Sequence, residues 1–229
     1  MVFEELNGVE SECRSYLVAD SGEALIVDPL LEKVDSYLAR LSALKLRLKY
    51  AADTHTHADH LSGSKELSRR TGARIAGSPE AVAHVPLREG SELIVGQVRI
   101  RVWDSPGHTA DSQVFLLPDR VIAGDTLFIG ATGRTDLPTG DPEQEWDSVQ
   151  RLLKLADEIQ VWPGHDYNRR TSSTIGDERR SNNRLRMGRE KFLAAMREPR
   201  PSKPARLAEA LAYNTTPSAR EASTGTVED

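Results

Sequence analysis

The sequence predicts a mixed α/β protein in two halves, each built of β-hairpins and a helix, with polar ligand-type side chains collected at strand ends. Three observations predict it. Short apolar runs flank turn-forming residues at three places, apolar residues recur at helical spacing between them, and five of the six histidines stand where a predicted strand gives way to a turn. The 229 residues, 38% of them hydrophobic, suffice for a sizeable core.

In order along the chain, residues 15–18 and 24–27 are apolar runs separated by Asp20, Ser21 and Gly22, a hairpin signal, and Asp28-Pro29 closes the second strand. Val34, Leu38, Leu41 and Leu44 then define a helix face. Leu46, Leu48 and Tyr50 alternate with basic residues at the period of a half-buried strand. This strand runs into Thr54-His55-Thr56-His57-Ala58-Asp59-His60, after which residues 62–70 read as a helix ended by Thr71-Gly72, and residues 73–76 as a short strand. Residues 93–95 and 98–103 form a second hairpin that ends in Pro106-Gly107-His108-Thr109. Residues 114–117 and 121–123 form a third, ending in Gly124-Asp125-Thr126. A glycine-rich loop, 130–136, leads to Asp141-Pro142-Glu143, an N-cap with proline at the first helical position. The helix carries Trp146, Val149, Leu152, Leu153 and Ala156 on one side, and the strand 159–162 then delivers Pro163-Gly164-His165-Asp166-Tyr167. A basic helix is expected from Asp177 to about Arg197, and the last ten or so residues read as disordered.

Four polar heads in the seven residues 54–60 are costly to bury unless something satisfies them. A metal ion does so, since imidazole and carboxylate are the ligands that zinc, iron and manganese accept. The candidate ligand set is His55, His57, Asp59, His60, His108, Asp125 and His165, whose separations require the fold to gather them. His84, between Ala83 and Val85, reads as a packing or surface residue, and Trp103, Trp146 and Trp162 as core. Net charge is −5, which offers no general attraction for nucleic acid or anionic membrane. No apolar run is long enough to span a bilayer, and Met1 to Glu5 lacks a signal-peptide pattern, so a cytoplasmic protein is expected. Cys13 is the only cysteine and is expected to lie far from every motif, so neither a thiolate cluster nor a covalent thiol route is expected.

The ordered motifs at residues 54–60, 106–109, 124–126 and 163–166 resemble the metallo-β-lactamase superfamily over roughly residues 15–170. The resemblance implies an αββα sandwich, two mixed sheets face to face with helices outside, as one domain over 1–198 followed by an extension, 199–229. Two branches share all seven site residues: glyoxalase II, which is hydroxyacylglutathione hydrolase, and the persulfide dioxygenases. Gly133-Arg134-Thr135-Asp136, Gly140-Asp141-Pro142, His165-Asp166-Tyr167, Ser173-Thr174-Ile175 and Asn182-Asn183-Arg184-Leu185 resemble the second. Asn183 and Leu137 depart from that branch's usual proline and phenylalanine.

What the dioxygenase resemblance implies is one Fe(II) per chain on His55, His108 and Asp125, with His57, Asp59, His60 and His165 orienting these ligands and bound water. Arg134, Tyr167 and Arg184 match positions that contact glutathione, the substrate is glutathione persulfide with O₂, and a homodimer is favoured. The alternative is a thioester hydrolase with two zinc, iron or manganese ions bridged by all seven groups. An RNA-processing role, suggested by Arg179, Arg180, Arg184, Arg186 and Arg189, conflicts with the acidic net charge.

Overall fold

The computed structural model describes residues 1–8, 11–167, 170, 172–198 and 202–217. The first half runs β1 (Val2–Glu5), β2 (Tyr16–Asp20), β3 (Glu23–Val27), α1 (Val34–Ala43), β4 (Arg47–Ala52), α2 (Ser64–Thr71), β5 (Arg74–Gly77) and β6 (Val85–Pro86). The second runs β7 (Glu92–Val95), β8 (Val98–Asp104), β9 (Gln113–Leu116), β10 (Arg120–Gly124), a small hairpin β11 (Leu127–Phe128) and β12 (Ala131–Thr132), α3 (Pro142–Leu152), β13 (Gln160–Pro163) and β14 (Ser173–Thr174). Helices α4 (Ile175–Ser181), α5 (Asn183–Arg186), α6 (Arg189–Arg197) and α7 (Leu207–Thr215) follow.

The strands make two six-stranded mixed sheets, ordered β1-β2-β3-β4-β5-β6 and β14-β13-β10-β9-β8-β7. The period of two along each strand dictates how they stack. Tyr16, Val18, Leu25 and Val27 face Ile100, Val102, Phe115 and Ile122 of the other sheet in the central layer. Their neighbours Leu17, Ala19, Ala24 and Ile26 point the other way, onto Val34, Tyr37 and Leu41 of α1 and Leu67 of α2. On the far side, Val114, Val121 and Val161 pack on Val149 and Leu152 of α3 and Phe192, Leu193 and Met196 of α6. Each fully buried side chain of this kind contributes about 1.5–3 kcal/mol, which is why the alternation decides the layering. The αββα sandwich expected from the resemblance is the fold observed.

Three expectations are corrected. The basic helix expected over 177–197 is three helices, because the fully buried Asn182 leaves the helical region (φ −70°, ψ 109°) and caps α5 through the Arg184 amide, while Gly188 at φ +80° separates α5 from α6. Helix α2 begins at Ser64, not Ser62, because the Ser62 hydroxyl donates to Asp53. Leu153 and Ala156 lie beyond the end of α3. The expected disorder at the end of the chain falls on residues 218–229, outside the described residues. No helix of the described residues is long and apolar enough to cross a membrane.

Candidate metal centre

Strand direction brings the ligand-type residues to one edge. β3 and β4 are parallel, as are β10 and β13, so Asp28, the 54–60 loop, Asp125 and His165 all leave the carboxyl ends of their strands together. Two glycines permit the approach. A Cβ on Gly164 would sit 2.4 Å from Asp125 Oδ1, and one on Gly107, which holds φ +146°, would sit 2.2 Å from the Glu145 Cα. These contacts explain why each Pro-Gly-His turn carries glycine before its histidine.

His55, His108 and Asp125 are buried, and their donor atoms all lie within 4.8 Å of one another. Their ring orientations are set from behind. Thr54 Oγ1 donates to Asp28 Oδ2 (3.0 Å), which leaves it to accept from His55 Nδ1 (2.9 Å) and frees His55 Nε2. His108 Nδ1 donates to the Arg134 carbonyl (2.7 Å), so its Nε2 faces Asp125 Oδ2 at 3.5 Å. Burial and the neighbouring His57 push His55 down to about 3, which keeps it neutral, as a metal ligand must be. Burial alone would raise Asp125, but the facing imidazoles, His165 foremost, together outweigh it and hold the carboxylate ionised. Two imidazoles and one carboxylate, oriented by hydrogen bonds on their outer atoms, fit a divalent cation.

The other four predicted residues divide differently. His165 stands between two carboxylates, Nδ1 on Asp125 Oδ1 (2.8 Å) and Nε2 on Asp59 Oδ2 (2.9 Å), and although burial opposes its charge, Asp125 foremost raises it well above the ordinary imidazole range. His57 turns to Asp28 Oδ1 (3.1 Å) and Asp53 (3.8 Å), and burial with His60 pushes it down to about 4. His60 lies with Nδ1 3.3 Å from Asp59 Oδ2, and among the described residues neither of its ring nitrogens meets a well-aligned hydrogen-bond partner.

Cys13 corrects the expectation that it lies apart from the site. A backbone bridge pairs Cys13 with His165, the Arg14 amide donates to the Gly164 carbonyl (2.8 Å), and Sγ comes 3.4 Å from His165 Nε2 and 3.5 Å from Asp59 Oδ2. Burial pushes the thiol up, but the neighbouring His165 and His60 together outweigh it and the net shift is downward. Behind the bridge, Arg14 and Asp166 form an ion pair (2.9 Å) with both side chains buried.

A cavity of about 330 Å³ opens on the centre, lined by Asp59, His108, Asp125, Phe128 and His165 and by all three predicted substrate residues. Tyr167 is 60% exposed and stacks on His165 at 5.6 Å with rings 7° apart. Arg134 already directs its fork to Asp136 (Nε–Oδ1 and Nη2–Oδ2 both 2.7 Å) and Nη1 to the Ser202 carbonyl. Arg184 contacts Met196 Sδ. His84 is a surface residue whose Nδ1 accepts the Ile75 amide, as expected.

Sequence reasoning missed four residues that hold the site. Asp28, at φ +51°, accepts the Thr54 amide (2.7 Å) and so fixes both His55 and His57. The sequence offered only Asp28-Pro29 at the end of a strand, which marks a turn and not a ligand-orienting carboxylate. Asp111 accepts the Thr56 amide and hydroxyl. Asn214 on α7 accepts the Ser62 amide and donates to the His57 and His60 carbonyls. Cys13 carried no local signal.

Two mixed sheets sandwiched between helices, with histidines and aspartates converging at one sheet edge, define a metal-binding fold class. The family model for the metallo-beta-lactamase superfamily matches residues 9–165, and the chain belongs to that superfamily. It is 35% identical over 190 residues to the human mitochondrial persulfide dioxygenase ETHE1, covering 80% of this chain and 75% of the relative. It is 33% identical over 201 residues to the hydroxyacylglutathione hydrolase of Methylococcus capsulatus, covering 85% and 77%. Among solved structures, ETHE1 from Myxococcus xanthus superposes with a TM-score of 0.86 at 40% identity, covering 93% of this chain and all of that one.

Proposed function

We propose that this chain is an Fe(II)-dependent persulfide dioxygenase that converts glutathione persulfide, O₂ and water to glutathione and sulfite. The observation that carries the reading is the division of the seven ligand-type residues. Two histidines and one carboxylate converge as a set, while His57 is drawn to Asp28 and His165 lies between two carboxylates. Iron bound by His55, His108 and Asp125 would supply open positions for O₂ and a persulfide sulfur side by side. The relatives named persulfide dioxygenase support the same branch.

The chain's own residues do the rest. His165, held by Asp59, orients Asp125 through Nδ1. Thr54 and the Arg134 carbonyl orient His55 and His108. His57 and His60, ring centroids 4.2 Å apart, pack against each other beside His55 and outside the cavity lining. Tyr167 and Phe128 give the cavity two aromatic faces suited to the sulfur-bearing arm of the tripeptide, and Arg134 and Arg184 line it with two cations for the tripeptide's carboxylates. The proposal includes a cytoplasmic setting and a homodimer, the latter tested by light scattering.

The glyoxalase II reading rests on the hydrolase relative and the presence of all seven ligand types. Oxygen-electrode and sulfite measurements on Fe(II)-loaded protein separate the two. The dioxygenase consumes one O₂ per glutathione persulfide and forms sulfite. Absence of oxygen uptake together with hydrolysis of S-lactoylglutathione would replace this reading with the hydrolase.

A further inference from the structure

Arg14 lies between two carboxylates and away from water. It is 2% exposed, with Nη1 on Glu5 Oε2 (3.0 Å) and Nη2 on Asp166 Oδ2 (2.9 Å), and Asp166 is 6% exposed. Such a pair is a poor source of stability. The cost of taking two charges out of water offsets their attraction, and packed apolar side chains of similar volume hold a fold about as well. The Arg14 Nε also meets no hydrogen-bond partner among the described residues, which adds to the cost. What the pair supplies is direction, because the planar guanidinium donates along fixed lines and so fixes where the Asp166 carboxylate stands.

Asp166 belongs to a turn with little freedom to move. A Cβ on Gly164 would meet Asp125 Oδ1, His165 Nδ1 reaches the same oxygen at 2.8 Å, and the Tyr167 ring lies parallel to that of His165. Residues 12–16 clasp this turn from the other sheet. The Arg14 amide donates to the Gly164 carbonyl (2.8 Å), the Asp166 amide to the Glu12 carbonyl (3.1 Å), and the Tyr16 hydroxyl to the Pro163 carbonyl (2.6 Å). The Arg14–Asp166 pair adds a side-chain hold directly after His165 and directly before Tyr167.

We propose that Arg14 is a positioning residue for the reaction: by holding Asp166 it sets the 164–167 turn, and through that turn both the Asp125 carboxylate and the Tyr167 face of the cavity. The two routes diverge at His165. One runs through its Nδ1 to Asp125, and the other through its ring face to Tyr167, which lines the cavity. Arg14 touches neither the cavity lining nor the three residues assigned to iron, so its effect is transmitted and not direct. The inference rests on the proposed function in taking His55, His108 and Asp125 as the iron ligands.

The double variant Arg14→Met/Asp166→Leu tests it, because it removes the pair without leaving one of its charges buried alone, and so keeps the fold. Nitric oxide added to the anaerobic, Fe(II)-loaded full chain gives a paramagnetic resonance signal whose rhombicity reports the arrangement of ligands round the iron. The expected result is a changed rhombicity, iron affinity about tenfold lower and a raised KM for glutathione persulfide, with circular dichroism unchanged. Arg14→Lys, which keeps a cationic donor for Asp166, restores the wild-type rhombicity. A folded double variant with the wild-type signal and iron affinity overturns the proposal, as does an Arg14→Lys signal altered as much as that of the double variant. Should the double variant fail to fold, Asp166→Asn, which keeps the volume, is read on the same signal with the same two outcomes. The signal and the iron affinity need no substrate. A wild-type chain that binds iron but takes up no oxygen therefore overturns the dioxygenase reading, while the signal still decides the role of Arg14.

Discussion

Replacing Asn214 by alanine should loosen the histidine loop from a distance. The Asn214 amide accepts the Ser62 N–H at 2.9 Å and donates to the His57 and His60 carbonyls at 2.8 and 2.9 Å, while Lys65 grips the carboxyl end of α7 through the Tyr213 and Thr216 carbonyls. Three hydrogen bonds at about 0.5–1.5 kcal/mol net each come to about 1.5–4.5 kcal/mol. Because the bonds bridge α7 and the 57–62 backbone, the loss falls first on local opening of that loop. The lower bound alone, at about 1.4 kcal/mol per decade, makes exchange of the Ser62 amide with deuterium about tenfold faster. Native-state hydrogen exchange reads this amide directly. Iron affinity should fall along with it, since the loop carries His55. Asn214→Asp keeps the acceptor for Ser62 but faces two carbonyls with a carboxylate, and should be at least as damaging. Unchanged Ser62 exchange and unchanged iron affinity in Asn214→Ala would refute the role assigned to α7.

Glu145 is fully buried on α3, and among the described residues neither carboxylate oxygen has a hydrogen-bond partner, so burial raises its carboxyl well above the ordinary 4.5. The folded protein then holds a proton that the unfolded chain releases, so this contribution to stability is complete below about pH 4.5 and is lost as pH rises toward the folded value. Glu145→Leu should therefore raise stability at pH 8 by about 1–3 kcal/mol, about 2–4 °C in Tm per kcal/mol, and leave it nearly unchanged at pH 4. Equal Tm shifts at both pH values would show that the carboxyl is not held neutral. Gly164→Ala drives a methyl to 2.4 Å from Asp125 Oδ1, and should cut iron affinity by tenfold or more with little change in circular dichroism. Wild-type iron affinity in that variant would mean the close approach is not required.

The parts of the site that could be read from the chain are those whose signal is local. A strand of alternating Leu46, Leu48 and Tyr50 running into His55-Thr56-His57 announces both the strand and the turn, and Asp141-Pro142 announces the start of α3 as observed. The layering was legible for the same reason, since neighbours such as Leu17 and Val18 must face opposite layers. What was illegible depends on contacts distant in sequence. Arg14 and Asp166 are 152 residues apart, and their ion pair joins a backbone bridge and main-chain hydrogen bonds in holding Cys13 against His165. Asn214 reaches the His57 carbonyl across 157 residues, from a segment whose composition gave no reason to link it to a metal centre. Asn182 breaks the expected long helix because Glu178 and the Ala131 carbonyl both engage its amide, and no periodicity reports that.

Under the proposed function the histidines and aspartates gathered at the sheet edge are not equivalent, and His55, His108 and Asp125 hold the iron. Iron content of anaerobically reconstituted variants measures this most directly. The account predicts about one iron per chain in the wild type, near-complete loss in His55→Ala, His108→Ala and Asp125→Ala, and retention in His57→Ala, whose ring is engaged by Asp28. Two irons in the wild type, or loss of iron in His57→Ala equal to that in His55→Ala, would contradict it.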